Sequence, residues 1–300
     1  MDTKYEVIII GGSYAGLAAA MALGRSLRNV LVIDSGEPCN RFTPHSHNFI
    51  TQDGETPAAI ASKAKEQVLK YPSVQFFKDK VTDAKQTGDG FIVSTENSMM
   101  FTAKKLLFAT GVTDILPDIE GFAECWGISV VHCPYCHGYE AKEQKTAVFA
   151  NGEAAMHYAK LLRQLTNNLT FFTNGPAEFD EDTLDKLKEH NMAIIEDKVA
   201  AIKQNNGHAE QIIMENGVRH DFPVIYYRPQ NKQHCDIPQH LGCSINEMGY
   251  IAVNEMQLTT VPGVYAAGDN TTPMRSVSIA VASGMKAGAA INFDLASEYF

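Results

Sequence analysis

Cys133 and Cys136, in the run Val-Val-His-Cys-Pro-Tyr-Cys-His-Gly-Tyr-Glu from Val130 to Glu140, have the spacing of a pair that can bind metal, carry haem or cycle between dithiol and disulfide. Zinc needs two further ligands at suitable spacing, and the chain has no second Cys-x-x-Cys. Cys133-Pro134-Tyr135-Cys136-His137 also fits the haem-attachment pattern, but that chemistry follows export and no convincing export signal is present. The third reading is a thiol–disulfide redox pair, in which a helix starting just after Cys133 would lower its thiol pKa and favour the thiolate; the nucleotide-binding motifs elsewhere in the chain favour it. His137 and His132 flank the pair, and an imidazole's ordinary pKa suits proton exchange with thiols near neutrality.

A second constellation lies at the N-terminus. Gly11-Gly12-Ser13-Tyr14-Ala15-Gly16 joins a β-branched run, Tyr5 to Ile10, to an Ala/Leu-rich stretch of helical spacing, Leu17 to Leu27. In a dinucleotide fingerprint the first glycine allows the tight bend, the second lets backbone approach pyrophosphate and the third lets helix pack on strand. Here Ser13 stands at the middle position, where it fits if its backbone is ordinary and its hydroxyl can bond phosphate. Asp34, closing the run Val30 to Ile33, can hold adenosine ribose hydroxyls and would repel a 2′-phosphate.

The elements needed to position these residues follow from periodicity. Pro57 to Tyr71 reads as a helix with Pro57 in its first turn, and Val81–Ala84 and Phe91–Thr95 flank a Gly88-Asp89-Gly90 hairpin signal. Leu106 to Ala109 is a buried strand running into Thr110-Gly111, and Asp114 to Gly121 reads as a linker. Thr146–Ala150, a helix from Glu153 to Leu165 and Leu169–Thr173 repeat the strand–helix–strand theme; Asp180–His190 is a polar helix. Near the end, Gly263 to Asp269 is strand then turn, and Ser276 to Ser297 is one long helix rich in small residues.

With 300 residues and 45% hydrophobic content the chain can build two modest cores. A formal charge of −10 argues against nucleic acid or an anionic membrane as partner. Glycines break the apolar stretch Val7–Leu23, so it does not read as a signal or spanning helix, and six cysteines do not form a secreted framework. A reducing, cytoplasmic home is the expectation. His234, Cys235, His240 and Cys243 are read as loop and core residues, with no metal expected; for His45-Ser46-His47 a solvated loop run is favoured over an approach to the flavin or the substrate entrance, and for Glu140 a helix-face acid over a role in tuning the site.

With Gly11–Gly16, Ala109-Thr110-Gly111, the Cys133–Cys136 pair and Gly263–Asp269 in this order, the chain resembles the low-molecular-weight thioredoxin reductases over nearly its whole length. These are flavoproteins of the pyridine nucleotide–disulfide oxidoreductase group. The resemblance implies an α/β fold of two Rossmann-like three-layer domains. The FAD domain would be discontinuous, 1–114 and 247–300, with an inserted NAD(P)-type domain, 118–243, carrying the redox disulfide. It implies FAD held by Gly11, Gly12, Ser13, Gly16, Asp34, Thr110, Gly111 and Gly268, with Asp269 on the ribityl chain and Asn48 as a polar contact. Backbone N–H groups of Arg275, Ser276 and Val277 would face the flavin N1/O2 edge, where reduced flavin is negative. Cys136 would exchange electrons with the flavin and Cys133 would meet the substrate sulfur; His137 departs from the reductase pattern, which usually has an acidic residue there, and its imidazole is read as the acid/base with a structural histidine as the alternative. A homodimer acting on a thioredoxin-like protein or a small dithiol/disulfide is the implied assembly and partner.

The chain departs from NADPH-using members at two places. Ala150-Asn151-Gly152-Glu153-Ala154-Ala155 stands where a second glycine fingerprint is expected, and Thr173-Asn174-Gly175 where an arginine cluster would meet a 2′-phosphate. The electron donor is therefore open between NADPH, NADH and no pyridine nucleotide. Missing nucleotide motifs also resemble gliotoxin- and holomycin-type dithiol oxidases, in which a small dithiol reduces the Cys-x-x-Cys and FAD passes electrons to oxygen. A flavin-binding redox sensor without turnover is the reading from another class.

Overall fold

The computed structural model describes residues 4–300. The chain begins β1 (Lys4–Ile10), α1 (Tyr14–Arg25), β2 (Val30–Asp34), α2 (Pro57–Val68), β3 (Val74–Lys78), β4 (Val81–Thr87), β5 (Gly90–Thr95), β6 (Met100–Phe108) and β7 (Val112–Ile115). It continues with α3 (Phe122–Cys125), β8 (Val130–Val131), α4 (Pro134–His137), β9 (Thr146–Phe149), α5 (Gly152–Leu162), β10 (Leu169–Phe172), α6 (Glu181–Glu189) and β11 (Ala193–Ile195). Then come β12 (Val199–Asn205), β13 (His208–Met214), β14 (Arg219–Asp221), β15 (Val224–Tyr227), β16 (Gln230–Gln233), α7 (Ile237–His240), β17 (Val264–Ala266) and α8 (Val277–Tyr299).

These elements form two compact units. The first comprises the N-terminal stretch ending at Arg41, Pro57–Thr113 and Asn231–Phe300; the second comprises Phe42–Thr56 and Asp114–Gln230. The sequence had closed the inserted domain at 243 and placed no part of 42–56 in it, so both edges fall elsewhere in the structure. β7 and β16 pair as a two-stranded ladder where the chain leaves and re-enters the first unit.

In the first unit the sheet order is β3-β2-β1-β6-β5-β4, with β17 also on β6. β1 and β2 are nearly continuous runs of buried Val and Ile, as a parallel sheet covered on both faces requires. β6 pairs with β1 along one edge and serves two partners on the other: Phe101–Ala103 run antiparallel to β5, while Leu106–Phe108 run parallel to β17. That fork lets one strand close both the N-terminal βαβ unit and the returning C-terminal segment. Helices α1 and α8 meet through small residues, since a Cβ on Gly284 would stand 2.0 Å from the Ala15 carbonyl oxygen. The strand β3, which sequence periodicity did not reveal, extends the sheet beyond β2.

The second unit has a five-stranded parallel sheet, β11-β10-β9-β15-β8, and a three-stranded antiparallel sheet, β12-β13-β14. Its apolar residues form two cores. One gathers Tyr158, Leu162 and Leu187 from α5 and α6 against Val148 and Phe171; the other gathers Ile202, Ile212 and Met214 against Ala147, Phe172 and Ile225. Alternate residues of β9 and β10 thus face helices on one side and the small sheet on the other, giving three layers.

Candidate active site

The glycine loop of the first unit leaves no room for side chains. A Cβ on Gly11, whose φ is +104°, would lie 2.3 Å from the Ala109 carbonyl oxygen, and one on Gly16 would lie 1.9 Å from that of Gly11. Gly12 N–H donates to Asp34 Oδ1 at 2.9 Å, which brings the expected ribose-binding acid against the loop. Ser13 has ordinary extended backbone (φ −87°, ψ −163°), so serine is accommodated where the fingerprint has glycine. It is the N-cap of α1 but its side chain makes no capping bond, and the first turn carries no acid. Those features suit a pyrophosphate at the helix N-terminus.

Thr110 and Gly111 follow β6, where Asn270, fully buried, donates through Nδ2 to the Phe108 carbonyl at 2.9 Å and to Thr110 Oγ1 at 3.4 Å. Sequence reasoning passed over Asn270, because an Asn after Gly-Asp carries no signal of burial. Gly268 (φ +92°) turns the chain after β17 and its N–H donates to Ser283 Oγ. Asp269 Oδ2 lies 3.5 Å from Arg275 Nε and 3.7 Å from Cys39 Sγ. Ser276 caps α8 by accepting from Ile279 N–H at 3.1 Å, while the Arg275 N–H donates to the Pro273 carbonyl. The crowded glycines, the uncapped α1 and the acid beside the loop fit an adenine dinucleotide such as FAD.

In the second unit Cys133 and Cys136 form a disulfide, with Cα atoms 5.3 Å apart. Cys133 is the N-cap of α4 and Pro134 opens it, its fixed φ suiting the first helical position. α4 is a single turn, so the dipole it offers Cys133 is small. The turn closes through Cys136 and His137 N–H groups donating to the Cys133 carbonyl, and Tyr135 between the cysteines is 68% exposed. Gly138 is required just after, since a Cβ there would meet the Pro134 carbonyl oxygen at 2.3 Å.

His137 is half-buried, and loss of solvation, with the nearby His47 imidazole adding to it, pushes its pKa down to about 4 against the opposing pull of Glu140. It is neutral at pH 7 and available as a base. His132 is held otherwise: its ring stacks on Trp126 at 5.9 Å and its carbonyl accepts from the buried Tyr158 hydroxyl. Asn48, expected at the flavin, lies in the segment that packs within the second unit; its φ is +59° and its N–H donates to Asp53 Oδ1 at 2.7 Å. The loop run read as solvated contains a residue of the site, for His47 is only 20% exposed and its Nδ1 lies 3.5 Å from Glu140 Oε1.

The N-terminus of α5, where a pyridine nucleotide would place its pyrophosphate, is engaged by the chain itself. Asn151 Oδ1 accepts from Gly152 N–H at 3.0 Å and Glu178 N–H at 2.8 Å, and Asn151 Nδ2 donates to the Pro176 carbonyl. Glu153 stands in the first turn, and the Glu178 carboxylate lies 3.8 Å from where a Gly152 Cβ would be. After β10, Thr173 bonds the Gly175 carbonyl and Asn174 accepts from Val199 N–H. Acids at a capped helix N-terminus do not fit a dinucleotide's phosphates.

Cys243 is buried with Sγ 3.4 Å from Thr259 Oγ1, and His234 Nδ1 lies 2.8 Å from Thr113 Oγ1. Among the described residues no three His, Cys, Asp or Glu side chains are arranged to hold a metal ion, and no helix is long and apolar enough to cross a membrane.

The profile of the family described as pyridine nucleotide-disulphide oxidoreductase matches residues 5–284. The chain is 30% identical over 307 residues to thioredoxin reductase sirT of Leptosphaeria maculans, covering 96% of this chain and 94% of that protein. It is 32% identical to thioredoxin reductase tcpT of Claviceps purpurea, over 94% of this chain and 92% of that one. The crystal structure of an oxidoreductase from Agrobacterium tumefaciens superposes with a TM-score of 0.92 at 39% identity, covering 98% of this chain and 99% of the other.

Proposed function

The chain belongs to the pyridine nucleotide–disulphide oxidoreductase family, and from that premise we propose that it passes two electrons between a dithiol substrate and FAD through the Cys133–Cys136 pair. The observation that carries this reading is a closed disulfide on an exposed helical turn, with a neutral imidazole, His137, at the end of the same turn. It is a thioredoxin reductase-like flavin disulfide oxidoreductase, and its own residues support the direction from thiol to flavin.

His137 takes the proton of one substrate thiol. The thiolate attacks Cys133 Sγ, the Cys133–Cys136 bond breaks, and Cys136 leaves as thiolate. The second substrate sulfur then attacks the mixed disulfide, freeing Cys133 and closing the substrate disulfide. Two electrons now reside on the cysteine pair and two protons have left the substrate. Bound FAD, cradled by Gly11, Gly12, Ser13, Gly16 and Asp34 with Thr110, Gly111, Gly268, Asp269, Arg275, Ser276 and Val277 as further contacts, supplies the carrier from the pair to the final acceptor.

The self-engaged N-terminus of α5 favours a dithiol over NAD(P)H as the electron source, with oxygen as acceptor: one dithiol and one O2 give one disulfide and one hydrogen peroxide. The substrate is a small dithiol or the dithiol of a thioredoxin-like protein, and the active form is a cytoplasmic homodimer. Anaerobic mixing with NADPH, NADH or dithiothreitol, followed through flavin absorbance, tests the assignment. Bleaching by dithiothreitol alone, with peroxide on admitting air, is expected. Rapid bleaching by NADPH would overturn the direction, and a flavin that no donor turns over would favour the sensor.

A further inference from the structure

Two buried tyrosines pack side by side in one core with Val131 of β8, and only one of them is bonded to the segment that carries the disulfide. Tyr158 of α5 and Tyr226 of β15 are 2% and 1% exposed, with ring centroids 5.7 Å apart. The Tyr158 hydroxyl donates to the His132 carbonyl at 2.8 Å, whereas the Tyr226 hydroxyl has no partner among the described residues. Burial raises the pKa of both phenols above the usual value, so Tyr158 keeps its proton and remains a donor.

His132 is the first residue past β8, a two-residue strand at the edge of its sheet, and it immediately precedes Cys133. Little sheet pairing therefore holds the cysteine in place. Three other restraints act on it: its carbonyl accepts from the Cys136 and His137 N–H groups, its Sγ is bonded to Cys136, and the carbonyl just before it is held by Tyr158. Reduction removes the bond between the sulfurs. The hold of Cys136 and His137 then depends on α4 alone, one turn of four residues with no side-chain cap and with Tyr135 in solvent. A single helical turn is not stable by itself. The Tyr158 bond reaches Cys133 from outside that turn, out of a packed core, and the His132 ring stacked on Trp126 steadies the same residue.

We propose that Tyr158 is a positioning residue that holds the His132–Cys133 peptide in place while the pair is reduced, so that the Cys133 thiol stays within reach of Cys136 and the disulfide re-forms. The role rests on the redox use of the pair proposed above. In the exchange a dithiol becomes a disulfide and the Cys133–Cys136 bond takes up its two electrons and two protons; Tyr158 gives up no proton at any step. Without the hydroxyl, the reduced turn gains more conformations than the oxidised one, which the bond between the sulfurs still closes. The balance then moves toward the dithiol.

The test equilibrates the full flavoprotein, Y158F and Y226F with mixtures of reduced and oxidised dithiothreitol, and counts alkylated cysteines on the chain by mass after acid quench. Y158F is expected to lower the equilibrium constant for forming the Cys133–Cys136 disulfide roughly threefold to tenfold, about 15–30 mV for this two-electron couple. Y226F, which also loses a buried hydroxyl, is expected to leave it unchanged. A hydroxyl that only satisfies a buried carbonyl lowers the urea midpoints of the oxidised and reduced chains alike and does not move that constant. Such a result, or an equal shift in Y226F, overturns the proposal. Should Y158F fail to fold, the unmodified chain labelled with carbonyl-13C histidine and 15N cysteine carries the test, since His132–Cys133 and His234–Cys235 are its two His–Cys bonds. The His132 carbonyl is expected to keep its hydrogen-bonded shift on reduction, and loss of that shift overturns the anchor. A disulfide that dithiothreitol does not reduce in the unmodified chain would instead defeat the redox reading itself.

Discussion

At Cys133 the backbone carbonyl accepts from both Cys136 and His137, so one turn fixes the disulfide and its base together. Burial of the imidazole then has a measurable consequence for stability. His137 titrates near 4 in the folded chain, below the ordinary 6.5 it regains on unfolding, so between those values the unfolded state binds more protons. Its contribution is complete above 6.5 and is lost as pH falls through 4. Urea midpoints measured from about pH 7 down to about pH 4.5 should therefore fall less steeply in His137→Asn than in the unmodified chain. Equal slopes would mean that the imidazole is solvated.

Among the elements, α1 and α8 are joined most closely, and glycine is what permits it. At Gly284 an added Cβ would meet Ala15 backbone atoms at 2.0, 2.7 and 2.8 Å, whereas at Gly288 the nearest atom is the Ala19 carbonyl oxygen at 2.8 Å. Backbone cannot rotate away as a side-chain tip can. Gly284→Ala is thus expected to cost about 3 kcal/mol or more, and Gly288→Ala about 1–2 kcal/mol, in denaturant unfolding. The reverse order would show that the helices slide freely. The same pair matters for function, since α1 begins at the glycine loop and α8 at Ser276.

For the whole molecule, the division into two units separates the residues that would hold FAD from the disulfide and its base. The single tryptophan, Trp126, lies in the second unit, so its fluorescence reports that unit while calorimetry records both. FAD at about 100 times its Kd should stabilise the unit that binds it by about 2.7 kcal/mol, raising its unfolding temperature by roughly 5–10 °C. The tryptophan transition is expected to stay in place. If it rises by the same amount, ligand stabilisation is not confined to the first unit.

By itself the sequence determined the chemistry carriers and their local elements. Gly11, Gly16 and Asp34 were legible because the βαβ signal is local: a β-branched strand, a turn only glycine can make, and an acid at the next strand's end. The cysteine pair was legible through spacing, and Asn151 and Thr173 through what they replaced. Only the tertiary structure decided that the 42–56 segment packs with the disulfide's own unit, that His47 faces Glu140 93 positions away, and that Glu178 folds onto the α5 N-terminus. Those contacts join residues distant in the chain, and no periodicity or propensity encodes them. They arise when buried strands such as β6 and β15 fix where each loop must return, and desolvation then sets the protonation of the groups brought together.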